Sequence, residues 1–188
     1  MTKSRCAWAK ETNQLYLDYH DNEWGVPTTD DKMLFEMLVL EGCQAGLSWE
    51  TILNKREGYR AAFYNFDITR VANMTDAELE KLRDNPAIVR NRLKINMARK
   101  NAIVFLDIQC EFGTFKDYLW GYVDHTPIQN HWATMGDVPA TTPLSDAIAK
   151  DLKKRGMTFV GSTIIYAYMQ ACGLVNDHIT SCFCYGRD

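Results

Sequence analysis

The chain has 188 residues, 46% of them hydrophobic and 24% charged, with a formal net charge of −3 at pH 7. Those values fit one compact domain, or two closely packed lobes, with enough chain to bury a core. The slightly negative balance excludes a chain-wide field for nucleic acid, so any such binding must come from a local patch. No stretch approaches the roughly 18 apolar residues of a membrane span, and MTKSRCAWAKETNQ has no apolar segment suited to secretion. A cytoplasmic location is therefore expected. In that compartment six cysteines point away from a disulfide framework and towards metal binding, catalysis or burial. Cys43, Cys110 and Cys172 are read as buried.

The predicted elements are helices almost throughout. TTDDKMLFEMLVLEGCQ begins with capping residues and continues with helical periodicity. In it Leu34, Met37, Leu38 and Glu41 fall on one apolar stripe, at i, i+3, i+4 and i+7. A carboxylate there is costly unless something compensates it. A neighbouring arginine or a backbone cap is the common answer; a ligand is the other. SWETILNKREGYRAAF starts at Ser48 as N-cap, with Glu50 near the positive end of the helix dipole.

TDAE at 75–78 is a capping box opening a helix that should stop before Pro86. A long amphipathic helix is expected from near Ile88. It carries Arg90, Arg92, Lys94, Arg99 and Lys100 without an acidic residue through Leu106. LEKLRDNPAIVRNRLKI has the outline of a helix-hairpin-helix, near 78–105, with Pro86–Ala87–Ile88 where a glycine-rich turn is usual. Cations and free backbone N–H groups there could grip phosphate; a solvated helix face is the alternative. TPLSDAIAKDLKKRG has Thr142 as N-cap, Pro143 at N1 and Gly156 as C′. A last helix covers roughly 161–172, ending at Gly173. Loops are expected near 22–30, 65–75, 123–141 and 173–177. Strand signals are nearly absent, so the predicted fold class is all-α.

DHITSC places His178 and Cys182 four apart, as on one helix face, while Cys6 and His20 lie 14 apart near the other end. Two Cys and two His make a closed tetrahedral Zn²⁺ set. The alternative is hydrogen-bonded histidines and buried cysteines, with Cys184 a nearby competitor. His125 and His131 read as surface residues in a loop. A thiol-redox role for Cys182 and Cys184 lacks the C-x-x-C spacing that such chemistry uses.

Taken together, YHDNEWGVP (19–27), LFEMLVLEGCQAGLSWETIL (34–53), IVRNRLKI (88–95), LKKRGMTFVGSTIIYAYMQACGLVNDH (152–178) and the trailing Cys182 resemble the bacterial type I 3-methyladenine DNA glycosylases. The likeness runs from Cys6 to Cys182 in matching order and spacing. It implies an all-α fold of the helix-hairpin-helix DNA glycosylase superfamily. It also implies one structural Zn²⁺ on Cys6, His20, His178 and Cys182, joining the N- and C-terminal segments of a single domain over 1–188. Glu41 then matches the base-recognition carboxylate, the expected catalytic residue, and Tyr19 and Trp49 its companions. Trp8, Tyr16 and Trp24 match aromatics in or around the same pocket. Gly46 and Leu47 match a loop approaching the gap left by an extruded nucleotide, and Arg90, Arg92 and Lys94 are the expected phosphate contacts. The implied partner is double-stranded DNA containing alkylated bases, and the implied activity is monofunctional release of 3-methyladenine by a monomer. The rival from another class is a non-catalytic DNA-binding module that would have no need of Glu41.

Overall fold

The computed structural model describes residues 3–10 and 12–187; residues 1, 2, 11 and 188 lie outside that set. Ten α-helices follow in chain order: α1 Gln14–Asn22, α2 Asp31–Gln44, α3 Trp49–Asn54, α4 Arg56–Ala62, α5 Ile68–Ala72, α6 Asp76–Lys81, α7 Arg92–Phe112, α8 Phe115–Trp120, α9 Pro143–Arg155 and α10 Ser162–Ala171. Two short strands, β1 Ile128–Gln129 and β2 Val175–Asn176, pair in parallel. Among the described residues, no helix is long and apolar enough to cross a membrane.

Local cap chemistry sets most boundaries. Ser48 accepts from Thr51 N at the start of α3, and Thr75 with Glu78 closes a full capping box on α6. Thr142 and Ser145 form another on α9, with Pro143 at N1 and left-handed Gly156 ending it.

Several expectations need correction. The segment after Ser48 breaks at Lys55 into α3 and α4 rather than forming one helix. α7 starts at Arg92, four residues later than expected, because Asn91 accepts from Leu93 N and Lys94 N as N-cap. The expected 65–75 loop contains α5, capped by Asp67. His178 and Cys182 lie on an irregular segment after β2, not on a helix. Cys110 is exposed rather than buried.

The core is one cluster running from Cys6 to Cys184. At its centre α2 packs against α7 and α10, while α9 lies on α10 and α5 on α7. α2 has ten buried residues and is surrounded on nearly every side. A helix in that position needs every buried polar group answered.

The turn between α6 and α7 is pinned from Lys55, at the break between α3 and α4, and from α4 itself. Lys55 Nζ donates to Pro86 O at 2.7 Å, and Val89 N donates to Tyr59 Oη at 3.3 Å. Between them Gly58 meets the turn so closely that a Cβ there would lie 2.2 Å from Ala87 O. Only glycine permits that approach.

Candidate functional site

α2 carries two buried carboxylates, and only one has a counter-charge. Glu36 meets Arg56 Nε at 2.5 Å and Arg60 Nη2 at 2.8 Å, with Arg56 extending to Glu23. Glu41, one turn and a half further along and 3% exposed, makes no ion pair among the described residues. Its Oε2 is enclosed without a hydrogen-bond partner. Burial pushes its pKa up to about 8, as expected for an unpartnered carboxylate in an apolar wall.

Glu41 faces a cavity of about 190 Å³ lined by Trp8, Tyr16, Tyr19, Trp24, Trp49 and four further residues. α1 supplies Tyr16 and Tyr19 from one face, three residues apart. Tyr19 is tilted against Trp49 with ring centroids 5.2 Å apart, and Trp8 packs on Tyr16 at 5.4 Å and on Trp24 at 5.0 Å. Burial, then the nearby Glu41, holds the Tyr19 hydroxyl well above its ordinary pKa, so it is a neutral donor. Trp49 Nε1 is the second buried polar atom of the described residues without a partner. Both orphaned atoms belong to residues lining this one cavity. Unsatisfied buried polar groups are rare in folded proteins, and their pairing in an aromatic cavity makes this the candidate ligand site.

All five aromatics expected from the sequence thus come together with Glu41. Gln44, Met135, Ala167 and Gln170 complete the lining and were not anticipated. Gln44 could have been found, since it stands three residues after Glu41 on the same helix. Met135 and the α10 residues carry no local signal.

Beside this cavity lies the expected Cys/His set. Cys6, His20, His178 and Cys182 are all buried, and their ligand atoms lie within 4.8 Å of one another, an arrangement able to hold a metal ion. Cys6 Sγ is 3.6 Å from His178 Nδ1, while Cys182 Sγ is 3.5 Å from His178 Nδ1 and 3.6 Å from His20 Nε2. Each histidine is oriented by its other nitrogen. His20 Nδ1 contacts Asp21 Oδ1 at 2.8 Å, and His178 Nε2 donates to Trp24 O at 2.9 Å. Arg5 grips Asp21 through Nε and Nη2, both at 2.8 Å. Cys184 stays outside the four, although its N–H donates to Cys182 Sγ at 3.5 Å. His125 and His131 are exposed.

Just past the C-terminal end of α2, Gly46 and Leu47 form an exposed loop, with Gly46 at φ +78°. Arg90 and Arg92 are exposed at the entrance of α7, with no ion pair among the described residues. Lys94 is the exception to the expected basic face. It is 6% exposed, and its Nζ donates to Cys43 O at 2.7 Å and Ala45 O at 2.6 Å. Its position on the buried side of α7 turns it inward, so it is not an exposed phosphate contact.

Residues 8–185 match the family model for methyladenine glycosylase. The chain is 50% identical over 181 residues to DNA-3-methyladenine glycosylase 1 of Escherichia coli (strain K12), covering 96% of each. It is 45% identical over 181 residues to DNA-3-methyladenine glycosylase of Haemophilus influenzae, covering 96% of this chain and 97% of the relative. Among solved structures, a 3-methyladenine DNA glycosylase I superposes with TM-score 0.94 at 52% identity, over 97% of this chain and all (100%) of the other. The Staphylococcus aureus enzyme, solved to explain 3-methyladenine recognition, gives TM-score 0.94 at 35% identity, over 98% and 97% of the two chains. On this agreement of sequence and fold, the chain belongs to the methyladenine glycosylase family.

Proposed function

We propose that this chain is a DNA repair enzyme that hydrolyses the N-glycosidic bond of 3-methyladenine in alkylated double-stranded DNA. The observation that carries this reading is Glu41: a buried carboxylate with an orphaned oxygen, facing an aromatic cavity and lacking the arginines that its helix-mate Glu36 has. Adenine methylated at N3 within DNA is a cation, so the missing counter-charge arrives with the substrate.

The chemistry asked of the protein is modest. The positive charge already weakens the C1′–N9 bond, whose electron pair passes to N9 as neutral 3-methyladenine leaves. Water bonds to C1′ and loses its proton to solvent. The enzyme must extrude the nucleotide, at a cost of a few kcal/mol, and prefer the cationic base to normal adenine. Trp49 supplies a stacking plate, with a cation–π share of roughly 0.5–2 kcal/mol that normal adenine does not gain. Ionised Glu41 accepts from the N–H edge of the base, and neutral Tyr19 adds a contact. Tyr16, Trp8 and Trp24 form the remaining aromatic wall. No lysine or aspartate lines the cavity, which supports a monofunctional enzyme working through selective binding, without a Schiff base.

Gly46 and Leu47 are read as filling the gap left by the extruded nucleotide, and Arg90 and Arg92 as phosphate contacts at a helix-hairpin-helix formed by α6, the following turn and α7. We read residues 1–188 as a single glycosylase domain, acting as a monomer in the cytoplasm. Cys6, His20, His178 and Cys182 fit a structural Zn²⁺. With Zn–S near 2.3 Å and Zn–N near 2.05 Å, a tetrahedral site separates S and N ligand atoms by about 3.6 Å, and the observed separations are 3.5–3.6 Å. The oriented second nitrogens of both histidines also suit metal ligands. Such an ion would tie the segment holding Trp8 and α1 to the C-terminal segment, bracing the aromatic wall.

The test is incubation of the native protein with methylated duplex DNA and separation of the released bases. Free 3-methyladenine is expected; DNA binding without base release would replace this reading with that of a binding module.

A further inference from the structure

Lys94 is a costly residue to bury. Its stem could be replaced by an apolar chain of similar length without taking an ammonium out of water. Its ammonium instead sits on two carbonyls at the C-terminal end of α2, Cys43 O and Ala45 O. These belong to the last turn, where carbonyls lack helical partners and the dipole is negative. The intervening Gln44 O is taken by Leu47 N at 2.6 Å. Three consecutive carbonyls are thereby fixed, two by Lys94 and one by the loop itself. One helical turn along α7, Met97 packs against Gly42 so closely that a Cβ there would meet its Cε at 2.9 Å.

The connection runs between two working surfaces. Upstream of Lys94 are exposed Arg90 and Arg92 and the N-cap Asn91, at the entrance of α7. On the other side are Glu41 and Gln44 in the cavity wall, followed by Gly46 and Leu47. We infer that Lys94 is a positioning residue for base excision: its ammonium locks the end of α2 to the entrance of α7, so that phosphate engagement by the hairpin fixes the Gly46–Leu47 loop and the Glu41 wall in register with the extruded nucleotide. This rests on the glycosylase reading above. It assigns Lys94 no contact with DNA.

Lys94→Met keeps the stem and removes charge and donors; Lys94→Arg keeps both. Each is compared with the native protein for single-turnover excision from a duplex containing 3-methyladenine, for affinity towards the free base by tryptophan fluorescence, and for the salt dependence of duplex binding. Lys94→Met is expected to slow excision about 10–100-fold while free-base affinity stays within about 3-fold of native, and Lys94→Arg to recover most of the rate. The slope of log K against log salt is expected to stay native; a fall of about 0.9 would mean a direct phosphate contact and overturn the inference. Equal losses in excision and free-base affinity would mean a merely structural role and overturn it too. If Lys94→Met does not fold, Lys94→Gln takes its place under the same criteria. Release by the native protein and Lys94→Met alike overturns this inference alone. No release by the native protein sinks the parent reading, and this inference with it.

Discussion

Glu36 and Glu41 lie on the same face-crowded helix, both nearly fully buried, yet Glu36 Oε1 is held 2.5 Å from Arg56 Nε while Glu41 Oε2 has no partner. The contrast separates two uses of an expensive group. Glu36 is a structural ion pair, stabilised by charges that fold with it. Glu41 is a carboxylate left without a partner, and on the function proposed above its compensation arrives with the substrate.

Opposite effects of the same substitution follow. Glu36→Gln leaves the buried Arg56 with Glu23 alone and takes the Glu36 contact from Arg60, and is expected to destabilise the fold by about 3 kcal/mol, as broken buried pairs do. Glu41→Gln removes an unpaired carboxylate and is expected to leave the unliganded protein as stable or more stable. Thermal unfolding of the two variants side by side checks this; equal destabilisation would mean that Glu41 has a structural partner.

The pH dependence has a definite sign. Burial raises Glu41 from the ordinary carboxylate value of 4.5 to about 8 in the folded chain. A raised folded pKa gives stability that is complete below about pH 4.5 and lost as pH rises through about 8. The melting temperature of the native protein should therefore fall relative to Glu41→Gln between pH 5 and 8. Excision should move the other way. The cationic lesion needs ionised Glu41, so the single-turnover rate should climb towards pH 8 and flatten above it, with no such climb in Glu41→Gln.

The Cys/His cluster predicts one zinc per chain, measurable by elemental analysis. Stripping it, or replacing Cys182 with Ser, should cost on the order of 5 kcal/mol. That is less than the roughly 10–16 kcal/mol of small zinc-dependent folds, because a large apolar core is also buried around α2. Trp24 O receives His178 Nε2, and the Trp24 ring stands edge-on to His178 at 4.6 Å. Metal loss should therefore also loosen the base cavity, lowering affinity for 3-methyladenine. A metal-free protein with native melting and binding would remove zinc from the account.

Gly58→Ala addresses the hairpin. The added Cβ would meet the backbone of Ala87 at 2.2 Å from its oxygen, and backbone cannot rotate aside as a side chain can. Displacement of the turn should cost about 1–3 kcal/mol and weaken duplex binding, while free-base affinity is unchanged. Filter binding and tryptophan fluorescence read the two effects separately.

Helix boundaries were legible where the chemistry was local. Ser48, Thr75 with Glu78, and Thr142 all cap as their neighbours within four residues dictate. Asn91 shows the same rule applied too late: the basic run begins before its cap does, and periodicity alone set the start of α7 at Ile88. Periodicity also showed Glu41 to be anomalous, but not what it faces, since Tyr19, Trp49 and Gln170 reach it only through tertiary packing. The same limit misread Lys94. Charge along a helix identifies cations, whereas the face they occupy depends on where neighbouring carbonyls end. His178 and Cys182 converge without the helix that their spacing implied, because β2 and the following turn do the bending.

The most direct measurement is single-turnover release of 3-methyladenine from one methylated duplex by the native protein and by Glu41→Gln at pH 8. Hydrogen bonds to a charged partner contribute about 1.5–3 kcal/mol, so a loss of about 10–100-fold is predicted for the variant. Equal release by the two proteins would contradict the claim that the charge opposing Glu41 belongs to the substrate.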